Sequence, residues 1–231
     1  MFEYVSENYK ALCKEISELA TAAGRGEVRL VAVTKSGSDE ELLALSECGV
    51  ADIGENRPQE LVRRGALLKK AGYTPRLHEI GNLQKNKVRH IIGDVAMIHS
   101  LDSIGLATEI DRRAAAIGRR VPVLIEINSA GEAAKGGIAP TEAEGFFLEV
   151  RKLPNLIVSG LMTMGPVTEN AEDMRPYFRL TRELFDDLDK KYGFEGEPTL
   201  SMGMSDSYRI AIEEGATLVR VGHKIFHKQG E

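Results

Sequence analysis

The stretch LVAVTKSGSDEELLAL, residues 30–45, contains a complete change from strand to helix. Its first part, Val31 to Thr34, is apolar and β-branched, which is typical of a strand buried on both faces. A turn containing glycine and an acidic helix start follow it. Lys35 therefore ends a buried strand, at the edge where α/β folds bind ligands. It is either a reactive amine or an ordinary strand-end lysine whose stem is buried while its amine reaches water.

The same change recurs along the chain after an amphipathic N-terminal helix. Eight strand-like segments are separated by helix-like patterns, and this strict alternation predicts a parallel sheet. Eight units within 231 residues favour the α/β class and a closed (β/α)8 TIM barrel over an open sheet. Because no linker rich in proline or serine divides the chain, residues 1–231 are predicted to form one domain. The predicted strands are 28–34, 51–55, 76–81, 96–101, 121–128, 156–164, 199–203 and 218–222, and the predicted helices are 39–48, 58–71, 84–92, 103–118, 140–152, 171–191 and 205–214.

Composition indicates an ordinary globular protein, with 42% hydrophobic and 28% charged residues. A net charge of -5 argues against a nucleic-acid partner, and the arginines at 112–113 and 119–120 are interpreted as the solvated side of one helix. The N-terminus has neither a signal-peptide pattern nor a membrane span. Cys13 and Cys48 form no CxxC pair, which argues against a metal or disulfide and favours a reducing cytoplasm.

Small and hydroxyl residues follow the last two strands. In SMGMSDSY, residues 201–208, Gly203 allows close approach of an anion to the backbone, while Ser201 and Ser205 offer hydroxyls. Gly222 ends the eighth strand, and TIM barrels often bind phosphate between the loops after strands 7 and 8. These two turns predict a phosphate site, although Ser205 is equally suited to cap the helix that follows.

A phosphate site opposite a strand-end lysine indicates a ligand that has both a phosphate and a carbonyl group. Pyridoxal 5'-phosphate (PLP) has both, and a barrel lysine such as Lys35 can form an imine with its aldehyde. Arg220, which lies in strand 8 and faces either the barrel interior or the helices, is a candidate for the pyridine nitrogen. A permanent cation there would leave that nitrogen unprotonated and weaken the cofactor as an electron sink.

Eight motifs follow one another along the chain, namely VAVTK, IGENRPQEL, HEIGNLQKNK, IHSLDS, INSAGEAAKGG, GLMTMGP, SMGMSDS and VRVGHKIF. In this order and spacing they resemble the YggS/PROSC family of PLP-binding proteins, also called pyridoxal phosphate homeostasis proteins. The resemblance covers about residues 28–226 and implies a barrel like the N-terminal domain of alanine racemase. It further implies a monomer that carries PLP in vitamin B6 and amino-acid homeostasis without established turnover, with apo-PLP enzymes as possible recipients.

The resemblance also implies a role for each site residue. Lys35 would take the aldehyde, Asn56 would lie near the ring and Arg220 would face the pyridine nitrogen. The remaining residues would line the pocket or surround the phosphate, namely Met162, Thr163, Ser201, Gly203, Ser205, Gly222 and His223.

The sequence departs from the family pattern at several positions. His223 stands where a threonine or serine is usual, and it either donates to the phosphate or crowds it. Glu79 in HEIGNLQ replaces a common aromatic or apolar residue, AKGG replaces SKFG, and Lys35 is followed by Ser36-Gly37, where many relatives have a second polar or basic residue. The changes leave the lysine and phosphate assignments in place but bear on ligand affinity.

Other interpretations of the same residues stay open. A racemase-like PLP enzyme needs a second base, which alanine racemases take as a tyrosine from an extra C-terminal domain according to the resemblance; this sequence ends at Glu231, and Tyr208 is the tyrosine near the predicted rim. An aldolase using Lys35 fits a barrel but not the motif set. Thr163 is predicted to point inward between two core methionines, His78 to be a satisfied interior histidine, and Lys135 to be a loop lysine or a second amine.

Overall fold

Eight parallel strands close into a barrel in a computed structural model that describes residues 2–132 and 136–227. The strands pair in chain order, and β1 closes the barrel by pairing with β8, with Val31 opposite Arg220. The predicted α/β class, the TIM barrel and all eight strands are confirmed. The strands are β1 (Arg29–Val33), β2 (Asp52–Glu55), β3 (Arg76–Glu79), β4 (Val95–Leu101), β5 (Val121–Glu126), β6 (Leu156–Met162), β7 (Thr199–Ser201) and β8 (Leu218–Val221).

Helices surround the barrel, and most follow the predicted segments. Single 3-10 turns precede α4, α6 and α7, at Lys85–Lys87, Pro140–Glu142 and Ala171–Met174. No helix in the described part of the chain combines the length and apolar character needed to cross a bilayer. The helices are α1 (Glu3–Ala22), α2 (Asp39–Glu47), α3 (Pro58–Lys70), α4 (Val88–Ile91), α5 (Ile104–Ala116), α6 (Ala143–Val150), α7 (Arg175–Tyr192), α8 (Tyr208–Glu213) and α9 (His223–Phe226).

Local sequence explains where the helices begin and which face they bury. Ser38 caps α2 in a capping box with Glu41, so the turn that carries Lys35 leads directly into a fixed helix start. Helix α7 buries Phe178, Thr181, Phe185 and Leu188, whose spacing of three and four residues places them on one face.

The barrel has two different interiors. Its main apolar core lies between the strands and the surrounding helices. A small separate cluster of Met97, Leu124 and Met162 fills part of the space inside the strands, where it adjoins buried polar side chains. The buried polar side chains inside the barrel therefore lie beside this small apolar cluster.

Two details differ from the predictions. Helix α5 ends at Ala116, so Arg119 and Arg120 do not extend its solvated side; they donate to backbone carbonyls, Arg119 to those of residues 92, 93 and 95. The short helix α9 was not predicted. It packs against α1, where Asn8 donates to the carbonyls of Ile225 and His227.

Candidate functional site

Lys35 lies in the turn after β1, with an exposed side chain at the C-terminal rim. The turn is held from beneath by the buried Arg64 of α3, which donates to the carbonyls of Thr34 and Gly37, the latter at 2.7 Å. On its other side the ring of Phe226 lies so close to Gly37 that a Cβ there would come within 2.6 Å of it. The lysine thus projects from a fixed turn, and its amine makes no hydrogen bond or ion pair to the described residues.

The position of Arg64 depends on Glu55, the last residue of β2. Glu55 faces the helices, and its Oε1 accepts from Arg64 Nη1 at 2.9 Å and from the Thr34 hydroxyl. Burial raises the pKa of Glu55, while Thr34 and Arg64 act in the opposite direction. Glu55 therefore supports the lysine turn from outside the barrel, whereas the next residue, Asn56, is half-buried at the rim.

The turns after β7 and β8 each contain a glycine that packs closely against a neighbouring element. Gly203 has φ +91°, and a Cβ on it would lie 2.5 Å from Ala211 of α8. A Cβ on Gly222 would lie 2.5 Å from the carbonyl oxygen of Val33. Both positions accordingly require glycine, and Gly222 lies against the β1 strand end that leads to Lys35.

Ser205 and His223 lie close to these glycines in sequence, and the four residues Gly203, Ser205, Gly222 and His223 are together called the cup. The N-cap of α8 is Ser207, so Ser205 does not perform the capping role. Its hydroxyl is half-buried and makes no hydrogen bond to the described residues. His223 is exposed at the start of α9, where its ring lies 3.8 Å from that of His227.

Arg220 points into the barrel and is almost fully buried beneath the cup. Its Nη1 donates to Ser201 Oγ at 2.5 Å and its Nη2 to the carbonyl of Thr163 at 3.1 Å, while its backbone N–H donates to the carbonyl of Gly203. Burial lowers the pKa of Arg220 to about 10, and Glu126 opposes that change. The side chain is therefore still a cation at neutral pH.

The structure confirms one of the two core methionines predicted around Thr163. Met162 is buried in the apolar cluster inside the strands, whereas Met164 lies beyond the end of β6 and is 38% exposed. Thr163 is buried; its hydroxyl contacts the carbonyl of Ile127 and the Ser129 hydroxyl, just beyond β5, and its own carbonyl accepts from Arg220.

Glu126, which was not predicted as a site residue, is the buried last residue of β5. Burial raises the pKa of Glu126 to about 7, with Asp102 raising it further and Arg220 lowering it. A single polar residue ending the apolar run VPVLI was the available signal. Near neutral pH, this carboxyl is divided between its acid and anionic forms next to the buried arginine.

Two further predicted residues are accounted for differently. Tyr208 is buried, and its hydroxyl donates to Glu15 of α1 and accepts from Lys224 at 3.3 Å, so the hydroxyl is already paired. Lys135 lies outside the described residues. Within those residues no group of three or more potential metal ligands occurs.

Comparison with known proteins first identifies the fold family of the barrel. The sequence matches the family described as "Alanine racemase, N-terminal domain" over residues 8–229. An alanine racemase of Clostridium difficile 630 shares the fold, with a TM-score of 0.71 and 17% identity over 95% of this chain and 57% of that one. The barrel thus has the alanine racemase N-terminal fold.

Proteins that match over nearly their whole length identify the family within this fold. A "Pyridoxal phosphate homeostasis protein" of Aquifex aeolicus is 43% identical over 222 residues, 95% of this chain and 96% of that protein. A solved structure of PipY of Synechococcus elongatus PCC7942, with PLP bound, has a TM-score of 0.84 and 27% identity, covering 96% of this chain and all of that one. The chain belongs to the pyridoxal phosphate homeostasis protein family, which confirms the predicted resemblance.

Proposed function

We propose that this protein binds pyridoxal 5'-phosphate at the C-terminal rim of its barrel and holds it reversibly for vitamin B6 and amino-acid homeostasis. One arrangement carries the proposal. Lys35 follows β1, the buried Arg220 lies on the adjoining strand β8, and the cup is formed by the turns after β7 and β8. The PLP-bound PipY structure supports it, because a relative with the same fold binds this cofactor.

Different residues are assigned to different parts of the cofactor. When bound, PLP supplies an aldehyde that the Lys35 amine can link covalently. We assign the phosphate to the cup and the ring to the surfaces of Asn56 and Met162, with Arg220 toward the pyridine nitrogen. Ser201 acts only through Arg220, because its hydroxyl already lies in the barrel interior. The cup comprises Gly203, Ser205, Gly222 and His223, with Thr163 beside it.

Holding the cofactor is favoured over turnover on structural grounds. Racemisation requires a second base on the opposite face of the substrate, and Tyr208, the predicted candidate, bonds to Glu15 and Lys224 instead. Arg220, as a permanent cation, also disfavours protonation of the ring nitrogen. We therefore assign no catalytic residue, and a racemase-like activity is the alternative to test.

The setting follows from the same assignment. Both cysteines are free, as expected in a reducing cytoplasm. We infer a cytoplasmic monomer that delivers PLP to apo-enzymes, a role supported by the homeostasis name of the relatives.

The test is PLP titration followed by absorption, with borohydride reduction and mass analysis. Wild type should develop a yellow band, and reduction should fix the added mass on Lys35. Lys35→Arg keeps the cation but removes the reactive amine, so it should lose the band. Lys85→Ala, at another exposed lysine on the same rim, should keep it.

Three outcomes would contradict the proposal: a colourless wild type, a band retained in Lys35→Arg, or mass added at another lysine. The loaded protein should then be incubated with L-alanine and with D-alanine. Chiral chromatography that showed conversion between them would replace the carrier role with the racemase alternative.

A further inference from the structure

Five buried polar side chains on five strands form a continuous hydrogen-bonded chain across the barrel interior. Asp52 Oδ1 lies 2.8 Å from His78 Nε2, and His78 Nδ1 lies 2.9 Å from His99 Nε2. His99 Nδ1 lies 3.0 Å from Ser201 Oγ, which accepts from Arg220. These five residues are called the interior chain below. It connects the start of β2 with the cup above β8.

The Asp52 end and the neutral state of both rings determine the direction of every hydrogen bond in the interior chain. A carboxylate only accepts, so His78 carries its proton on Nε2 and donates to Asp52. A neutral imidazole has one donor and one acceptor, so His78 Nδ1 accepts from the Nε2–H of His99, and His99 Nδ1 accepts the Ser201 proton. The Ser201 oxygen also accepts from Arg220, because a guanidinium only donates. Both imidazoles are thereby fixed in the Nε2–H tautomer.

Charges around the two imidazoles favour this neutral arrangement. Burial lowers the pKa of both His78 and His99, and Arg29 lowers it further in both cases. Arg76 acts in the same direction on His78, and Arg220 on His99, whereas Asp52 favours a charged His78. A neutral imidazole has one donor and one acceptor, which is what each place in the chain requires.

Arg220 needs such a partner because its charge is buried. The nearby Glu126 is not fully ionised at neutral pH, since its pKa is about 7. The interior chain instead connects the guanidinium to the Asp52 carboxylate, the second oxygen of which accepts from Arg76 at 2.6 Å. Ser201 and Thr163 between them use both Nη atoms.

We propose that the interior chain is a positioning device, in which Asp52, His78 and His99 hold the Arg220 guanidinium in one orientation through a single donor direction. Its importance for the cofactor rests on the proposed function, in which Arg220 meets the pyridine nitrogen. Neither histidine touches the cofactor. Their effect on it passes entirely through Ser201 and Arg220.

The first experiment needs no cofactor. Side-chain ¹⁵N NMR distinguishes the histidine forms, and the chain has only five histidines, of which His90, His223 and His227 are exposed. Two signals should show the neutral Nε2–H imidazole between pH 7 and 8. An Nδ1–H form, or protonation of either buried ring in that range, would overturn the inference.

A matched pair of variants then tests the effect on Arg220. Leucine and asparagine have similar shapes, but the amide oxygen introduced by His78→Asn can still accept from His99, whereas the side chain introduced by His78→Leu has no acceptor. In wild type and His78→Asn, hindered rotation should give separate Arg220 Nη signals. In His78→Leu they should merge, and Met97→Ala, which disturbs only apolar interior packing, should keep them apart.

Cofactor binding supplies the final comparison. The PLP dissociation constant should rise about tenfold in His78→Leu and much less in His78→Asn, as expected for loss of a charge-assisted contact. The ¹⁵N chemical shift of the pyridine nitrogen in labelled PLP should differ from its wild-type value in His78→Leu only. Equal behaviour of the two variants in both NMR and binding would refute the inference. Failure of wild type to bind PLP would refute the proposed function alone, because the cofactor-free spectra judge the chain.

Discussion

Glu79, the last residue of β3, is a fully buried carboxyl facing the helices. Its Oε1 accepts from the Gly81 N–H at 3.3 Å, and Oε2 has no hydrogen-bond partner among the described residues. Burial raises the pKa of Glu79 to about 8, and the nearby Glu55 adds to this, while the Gly81 N–H opposes it. At neutral pH most molecules therefore carry Glu79 as the neutral acid.

The sign of the stability effect follows from where the proton is bound more tightly. The folded protein holds this proton up to about pH 8, whereas the unfolded chain releases it near the ordinary value of 4.5. Stability from this group is thus complete below pH 4.5 and declines as pH rises toward 8. The decline amounts to about 5 kcal/mol in all, of which about 3 kcal/mol falls between pH 6 and 9.

Glu79→Gln removes the titration while keeping the size and one acceptor. We expect its gain in unfolding free energy over wild type to be about 3 kcal/mol larger at pH 9 than at pH 6. Equilibrium urea unfolding followed by circular dichroism at both pH values measures this difference. Glu142→Gln, at an exposed glutamate, is the control and should show no such dependence. A gain from Glu79→Gln that is equal at both pH values, or larger at pH 6, would refute the reasoning.

Three other substitutions test separate contacts. Arg64→Met leaves Glu55 as a buried, unpaired carboxyl and should lower unfolding free energy by about 3–5 kcal/mol, with recovery when Glu55→Gln is added, both measured by urea unfolding. Wild type should lose PLP affinity between pH 6 and 8 in an absorbance titration, because ionised Glu126 repels the anionic cofactor, and Glu126→Gln should flatten this fall. Gly160→Ala would place a Cβ 1.9 Å from a β7 carbonyl oxygen and should prevent stable folding, whereas Gly145→Ala, in an open helical position, should fold normally by circular dichroism.

The fold was predictable because most strands contain a continuous apolar run. The fourth strand, predicted at 96–101, is weakly marked in the sequence, yet β4 is one of the two longest strands. Its pattern is interrupted by His99 and Ser100, which are buried polar residues. Burial inside a barrel therefore hid the strand from a search based on apolar residues. Helix α9 was missed for another reason, since its four residues are too short to show periodicity.

The candidate site was predictable in its location but not in its contacts. Strand ends placed Lys35, Gly203 and Gly222 on one rim, because parallel strands share that edge. The contacts of Ser201 required knowledge of the strand across the barrel, and its partner His99 is 102 residues away in sequence. Similarly, Arg64 lies in the middle of a helix, where nothing in its sequence surroundings distinguishes it from a solvated arginine.

The interior chain changes how substitutions at the two ends of this barrel should be understood. Residues at the N-terminal end of a TIM barrel ordinarily serve stability, while the C-terminal rim carries function. Asp52 begins β2 and pairs with Arg76 at the N-terminal end, yet its carboxylate is the final acceptor of the hydrogen bonds that start at Arg220. Under the proposed function, we expect a replacement of Asp52 to alter the contact between Arg220 and the ring nitrogen without changing any residue of the rim. The residues to test for an effect on the cofactor are then those connected to Arg220 through the interior chain, whatever their distance from Lys35.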